Sequence, residues 1–497
     1  MGGEAHGLKA WWLSLPSRRF TERAGYHWYV VGTVCVGAFM AALDASIVNV
    51  ALPDLGTYFR AGSEVGWVLI AYLLTLATLL TLFGRLADML GRKPLYTFGF
   101  LVFIVGSAAC GAALSMPMLI VARVFQAAGA AMLQANSVAI ITATVPPSVR
   151  GQAIGFQGSA QAVGLSVGPA VGGALIALFG WRAIFYVNVP VGLLGTLAGA
   201  LILPRDRLSG NRPWFDWVGS ALFAPLLVAV MLGLEEGQTW GWSSPRILGL
   251  WAVALALALA FWQWERRTRA PLIDLRLFRI PVFTIGNVTG LLSYLVMFGV
   301  LVLMPYFFER VMHYPSAVVG LVMTAVPLGM TVTAPVAGRA ADRAGPRLIT
   351  TGGMVVAALA TFLLALSIGT RPDVVFLVVE LFFVGVGLGM FTPPNNSSVM
   401  GSLPQDRLGV GGGILNMARS LGMASGTAVS LALVTILLAV YGGTLAAGGP
   451  VGPWIPSLRW TLYLLVALGG IAAVLSVFRV GQPHSQSHKA DPLPLEW

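Results

Sequence analysis

Apolar residues fill this chain in long runs that short polar segments separate. Fourteen of these runs approach or exceed about 20 residues, the length that an α-helix needs to cross the hydrocarbon core of a bilayer. They cover residues 28–51, 64–84, 94–114, 117–143, 151–178, 184–203, 215–234, 246–264, 282–308, 317–338, 347–367, 374–394, 409–440 and 458–478. The pattern predicts an all-α polytopic membrane protein with fourteen transmembrane helices.

Composition excludes the soluble classes. Of the 497 residues, 57% are hydrophobic and only 10% are charged, whereas an average soluble domain carries about 25% charged residues. The two cysteines, Cys35 and Cys110, lie inside apolar runs and indicate no disulfide framework. Neither metal-ligand spacing, nor a phosphate-binding loop ending in Gly-Lys-Ser/Thr, nor a histidine deep in a span is found in the sequence. We therefore expect no enzyme, no metal, no cofactor and no nucleic-acid partner.

The basic residues are distributed unevenly between the loops. With the N-terminus inside, 22 of the 30 Lys and Arg residues fall in cytoplasmic segments and six in outer loops. This bias satisfies the positive-inside rule. The sequence thus predicts a multi-pass protein of the cytoplasmic (inner) membrane with both termini in the cytoplasm.

A loop motif occurs twice. Residues 84–93 read GRLADMLGRK, and residues 338–347, which lie 254 positions further on, read GRAADRAGPR. Each copy follows the second helix of a six-helix unit, so the chain contains a duplication. Parallel repeats of this kind are a transporter architecture, with the site at the midplane between the halves.

The duplication divides the chain into five parts. An N-terminal half (28–203) and a C-terminal half (271–478) flank an inserted two-helix pair with its loops (204–270). Short cytoplasmic segments at 1–27 and 479–497 complete the chain.

Five motifs carry a family resemblance over essentially the whole chain. Residues 84–93 resemble the signature loop of the major facilitator superfamily. The other four motifs resemble those of its fourteen-span drug:proton antiporters of the EmrB/QacA type: LDASIVNVALP at 43–53, RVFQAAG at 123–129, GLSVGPAVGG at 164–173 and WRAIFYVNVP at 181–190. The resemblance implies the major-facilitator fold and a secondary antiporter that exports lipophilic or cationic drugs by alternating access, driven by the proton gradient. An exporter of lipids, glycolipids or another endogenous metabolite is the alternative.

The resemblance also implies two functional motifs. A cytoplasmic gate motif comprises Gly84, Arg85, Asp88, Gly91 and Arg92, with Gly338, Arg339 and Asp342 in the second copy. Here Asp88 is expected to contact the start of the thirteenth span, where free N–H groups favour an anion; a merely solvated basic loop is the alternative.

The second is an antiporter motif formed by Gly164, Gly168, Pro169, Gly172 and Gly173. Its small residues recur every four positions and permit close helix packing. Packing alone is one interpretation; the resemblance adds that this surface lies between the halves.

Four ionisable residues lie well inside the predicted spans: Asp44, Arg123, Glu380 and Arg419. Each would cost at least about 2.5–3.5 kcal/mol facing lipid, so they are expected to face a cavity or one another. One interpretation is two structural ion pairs, Asp44–Arg123 and Glu380–Arg419. The other is proton coupling, in which a carboxylate carries the proton because arginine cannot release one.

Polar and aromatic side chains are candidates for the substrate path. They are Asn49, Gln126, Gln134, Asn136, Gln157, Gln161, Tyr294, Phe298, Asn395, Asn396 and Asn416. The expected partners are a lipophilic or cationic small molecule, protons and membrane lipids, with the protein acting as a monomer. Substrate identity, proton stoichiometry, resting conformation and the need for an adaptor protein stay open.

Overall fold

The computed structural model describes residues 25–60, 63–204, 215–268, 271–369, 373–443 and 451–478. Most of the two predicted terminal segments, and residues 205–214 of the predicted insertion, lie outside these ranges. Within them, fourteen helices are long and apolar enough to cross a membrane. They are α1 (Tyr26–Phe59), α2 (Trp67–Leu90), α3 (Arg92–Gly111), α4 (Met116–Thr144), α5 (Arg150–Phe179), α6 (Ala183–Tyr186 and Asn188–Ile202), α7 (Trp217–Trp240), α8 (Pro245–Glu265), α9 (Pro281–Tyr306), α10 (Ser316–Met323 and Ala325–Ala344), α11 (Pro346–Ser367), α12 (Val374–Gly401), α13 (Leu408–Val440) and α14 (Trp454–Val477). The all-α, fourteen-helix prediction is confirmed.

One glycine makes the connection at each copy of the repeated motif. Gly91 joins α2 to α3 with φ 101°, and Gly345 joins α10 to α11 with φ 87°. Side chains rarely tolerate this left-handed backbone, whereas glycine adopts it without steric cost. The duplicated sequence therefore folds into a duplicated single-residue turn. We call the end of the bundle that carries both turns the gate end.

The two halves meet along two helix pairs. Helix α2 packs against α13, and α5 packs against α10. The inserted helix α7 packs on α8, α2 and α13, and Met231 of α7 forms an apolar cluster with Leu74, Ala77 and Ala424. The insertion therefore lies beside the interface between the halves.

The glycine face of α5 does not lie between the halves, which corrects the expectation from the resemblance. Gly164, Gly168 and Gly172 all face α1, within the N-terminal half; a Cβ on Gly164 would lie 2.7 Å from the carbonyl oxygen of Phe39. The contact of α5 with α10 uses other positions, Gly151 among them. Regular spacing of small residues predicts close packing, but it does not identify the partner helix.

Candidate functional site

A cavity of about 600 Å³ lies between the halves, within the usual size range of small-molecule sites. Its wall is mainly apolar and includes five methionines: Met231, Met297, Met323, Met330 and Met423. Methionine is flexible and polarisable, so such a wall adapts to ligands of different shapes. The sequence analysis did not select these methionines, because apolar residues are unremarkable in a membrane helix.

Most of the predicted path residues line this cavity or its deep end. Seven are on the main wall: Asn49, Gln134, Gln157, Gln161, Tyr294, Phe298 and Asn396. Asn395 and Asn416 line a small polar pocket that shares Gln157, Gln161 and Arg419 with the main cavity.

Two predicted path residues are not on the wall. Gln126 belongs to a buried polar network, described below, and Asn136 donates to the carbonyl of Met132 on its own helix.

The centre of the N-terminal half holds a buried ion pair. Arg123 donates to the Asp44 carboxylate at 2.6 Å, and both side chains have no exposed surface. The guanidinium also donates to the Gln126 amide oxygen at 2.7 Å and to the carbonyl of Val68 at 3.2 Å. It lies 4.1 Å from the ring centroid of Tyr72. Arg123 borders the cavity and Asp44 lies behind it.

Further donors complete the environment of Asp44. The amides of Gln126 and Asn188 donate to its Oδ1 atom at 2.8 and 3.0 Å. Both amides also donate to Ser107, at 3.0 and 3.1 Å. Every one of these donors points at the carboxylate or its neighbour, and an ionised carboxylate can only accept, so the geometry fits the charged form. Asn188 and Ser107 were missed as site residues, although Asn188 lies in one of the quoted motifs.

The second pair suggested by the sequence, Glu380–Arg419, is absent. Arg419 donates to Gln161 at 2.9 Å and also to Gln134, on the other half of the protein. Glu380 instead accepts from Ser367 at 2.5 Å, between α12 and α11. Similar depth along two helices did not bring these side chains together, because they face different neighbours.

Asp88 binds the N-terminus of α13 at the gate end. Its two carboxylate oxygens accept from the backbone N–H groups of Gly409 and Val410 at 2.8 and 2.9 Å. Arg92 holds the same carboxylate at 3.3 Å and donates to the carbonyl of Gln405 at 2.5 Å. An anion is stabilised at this position by the free N–H groups and the helix dipole. The contact expected from the sequence is present.

Asp342 makes the reciprocal contact, which the sequence analysis did not specify. Its oxygens accept from the N–H groups of Gly151 and Gln152, at the start of α5, at 2.8 and 3.0 Å. Each copy of the motif therefore binds a helix N-terminus of the other half. Arg339 is exposed, whereas its counterpart Arg85 is buried.

Glycines bring the backbones together beside each aspartate. A Cβ on Gly84 would overlap the carbonyl of Gly409, and a Cβ on Gly338 would overlap the carbonyl of Gly151. These crossings and the two aspartate contacts close the gate end below the cavity. The wall continues towards the opposite end, where Asn49 and Leu73 are exposed.

Comparison with known proteins gives consistent results. Residues 34–427 match the Major Facilitator Superfamily. The chain is 35% identical to the riboflavin transporter RibZ of Clostridioides difficile, over 81% of this chain and 87% of the relative. It is 33% identical to the multidrug resistance protein Stp of Mycobacterium tuberculosis (82% and 76%). It is 31% identical to the tetracenomycin C resistance and export protein of Streptomyces glaucescens (82% and 75%).

Solved structures share the fold at low identity. The human organic anion transporter MFSD10 superposes with a TM-score of 0.65 at 17% identity, over 91% of this chain and all of that one. The proton:xylose symporter XylE gives 0.64 at 16%, over 90% and 94%.

Proposed function

Since the chain belongs to the Major Facilitator Superfamily, we propose that it is a proton-coupled antiporter that exports lipophilic compounds, cationic ones among them. It acts in the cytoplasmic membrane by alternating access. The observation that carries the proposal is the buried Asp44–Arg123 pair, in which Arg123 borders an apolar cavity and Asp44 lies behind it.

Asp44 is the proton carrier in this mechanism. When its carboxylate takes up a proton, the ion pair with Arg123 is lost, because a neutral acid no longer balances the guanidinium charge. Arg123 then changes its position at the cavity wall, which it shares with the substrate. Proton and substrate therefore compete through Arg123, without direct contact between the substrate and Asp44.

The composition of the wall supports lipophilic substrates of varied shape. Five methionines and the rings of Tyr72, Tyr294 and Phe298 give broad apolar contact with little directional demand. Relatives named for multidrug resistance and for tetracenomycin C export agree with this substrate class.

The gate end is the cytoplasmic end in this proposal, as the positive-inside rule predicts. The conformation described here is closed at that end, so it is the outward-directed state of the cycle. Opening towards the cytoplasm requires Asp88 and Asp342 to release the N-termini of α13 and α5 together.

An efflux assay in proteoliposomes tests the proposal. An imposed proton gradient should drive export of lipophilic dyes, and adding substrate to the purified protein should release protons. Export that persists without a proton gradient would contradict antiport, whereas transport of lipids and not dyes would favour the lipid-exporter alternative.

A polar endogenous metabolite is the second candidate. Four polar side chains that line both the small polar pocket and the main cavity, Gln157, Gln161, Asn396 and Arg419, can form hydrogen bonds with a heteroaromatic ligand held in the main cavity. The relative named as a riboflavin transporter favours this candidate. Saturable transport of riboflavin in the same proteoliposomes, with dyes excluded, would select it.

A further inference from the structure

One of the charged side chains on the cavity wall was indicated neither by the motifs nor by the predicted membrane-embedded charges. Among the described residues that line the cavity, three carry a charge: Arg123, Arg419 and Glu235. Asp44 is not one of them, and its carboxylate is enclosed by its donors Arg123, Gln126 and Asn188. Among the described residues, a ligand in the cavity of this state therefore meets one carboxylate, Glu235.

Glu235 comes from the inserted helix α7, which neither half of the duplication contains. It lies one helical turn after Met231, on the same face of the helix. Met231 packs against Leu74 of α2 and Ala424 of α13, and both Met231 and Glu235 reach the cavity. The insertion thus contributes to the wall at the place where the two halves meet.

Glu235 also differs from the two arginines in its partners. Arg123 is bound to Asp44, and Arg419 donates to Gln134 and Gln161. For Glu235, no hydrogen bond or ion pair is found among the residues that the structure describes. Its sequence neighbour Glu236 is buried and does not line the cavity. A half-buried carboxylate in an apolar wall is costly unless a cation approaches it.

We propose that Glu235 binds the positively charged group of a lipophilic cation in the central cavity. The ligand's apolar body lies against the methionine and aromatic wall, and its charge is balanced by Glu235. This inference rests on the proposed export function and narrows its substrate class. It also gives the inserted helix a direct role in substrate recognition.

A binding measurement on the full-length purified protein tests the assignment. The probes are tetraphenylphosphonium, a lipophilic cation, and triphenylphosphine oxide, a neutral compound of related shape. Glu235→Gln should weaken tetraphenylphosphonium binding roughly tenfold or more, as expected for loss of an interaction with a charged group. Binding of the neutral compound should change much less, because its contacts are apolar.

Two further variants control for structure. Glu235→Asp keeps the charge and should restore much of the affinity for the cation. Glu236→Gln removes the neighbouring charge, which does not line the cavity, and should leave the preference for the cation intact.

The outcomes separate this inference from the export function. The role of Glu235 is overturned if Glu235→Gln weakens the binding of both probes equally, or if it leaves the binding of the cation undiminished. Either result does so even if dye export is intact. If the wild-type protein binds only the neutral compound, the role of Glu235 is overturned and the proposed export function still stands. Wild-type protein that neither binds nor exports either compound overturns it together with the proposed function.

Discussion

At the scale of single residues, the main feature is that the acid proposed to carry the proton is separated from the cavity. Asp44 has three side-chain donors, from Arg123, Gln126 and Asn188, and no exposed surface. Removing one partner from such a network leaves the others buried without compensation. Because Asp44 does not line the cavity, substitutions of Asp44 are expected to affect proton coupling more than substrate binding.

Asp44→Asn should abolish proton-coupled efflux, because an amide cannot exchange a proton. Substrate-induced proton release, measured with a pH-sensitive dye on the purified protein, should disappear. Asp44→Glu should keep part of the activity with a shifted pH optimum, because the exchangeable proton survives.

Glu380→Gln provides the matched comparison, since Glu380 is bound to Ser367 and not to an arginine. It should leave proton release in place. If Asp44→Asn keeps substrate-induced proton release and Glu380→Gln loses it, Glu380 is the proton carrier.

At the scale of helices, the gate end is held by two equivalent contacts. A carboxylate from α2 binds the first N–H groups of α13, and one from α10 binds those of α5. Interactions of this type contribute roughly 0.3–2 kcal/mol each, so two of them can change a conformational equilibrium without determining the fold. Such contacts are suited to a gate that opens and closes repeatedly.

Asp88→Asn and Asp342→Asn should each slow transport while leaving expression and substrate binding mostly intact. Each variant loses an anion from a contact that joins the two halves at the closed gate end, and this loss is expected to shift the equilibrium towards opening. Transport rates and binding affinity, measured in parallel, separate the two effects. Asp406→Asn is the control, because Asp406 is an exposed acid in the same region. Equal loss of folded protein in the Asp88 and Asp342 variants would indicate a purely structural role.

Gly84→Ala should impair closure of the gate end more than loss of the carboxylate does. The added methyl group overlaps the carbonyl of Gly409, and that backbone cannot move without separating α2 from α13. Opening is measured with a cysteine introduced at the gate end. A bulky thiol reagent should label this cysteine faster when the gate end opens more often. Gly173→Ala is the comparison, since a Cβ there meets nothing within 4 Å; similar labelling of both variants would argue against the crossing.

At the scale of the whole molecule, the described part of the chain forms fourteen membrane-spanning helices, with the inserted pair beside the interface between the halves. The fourteen helices of the described residues, an even number of spans, predict both termini on one side of the membrane. The excess of basic residues predicts that this side is the cytoplasm. The orientation follows from charge counts and is independent of the packing of the helices. It therefore needs its own test.

Membrane-impermeant labelling of single introduced cysteines tests the topology. A cysteine at Gly241, between α7 and α8, should react in intact cells. One at Asn211, which lies outside the described residues, should react only after the membrane is permeabilised. The same result for both positions would remove the inserted helix pair from the topology.

The sequence by itself determined the helices and the glycine turn at each copy of the repeated motif, and it predicts the depth of each charged side chain. Apolar length, glycine at the repeated turns and the distribution of Lys and Arg are local properties, so they are readable without tertiary information. Depth also identified Asp44 and Arg123 as neighbours, since they lie at a similar level on two helices of the same half.

Only the tertiary structure decided which helix face meets which partner. It joined Arg419 to Gln134 and Gln161 and not to Glu380, and it turned the α5 glycines towards α1. It also brought Glu235 to the cavity, although this residue lies just beyond the predicted end of its span. The physical reason is that periodicity and hydropathy fix position along a helix and the spacing on its faces. The rotation of each helix about its axis is set by side-chain packing between segments that lie far apart in the chain.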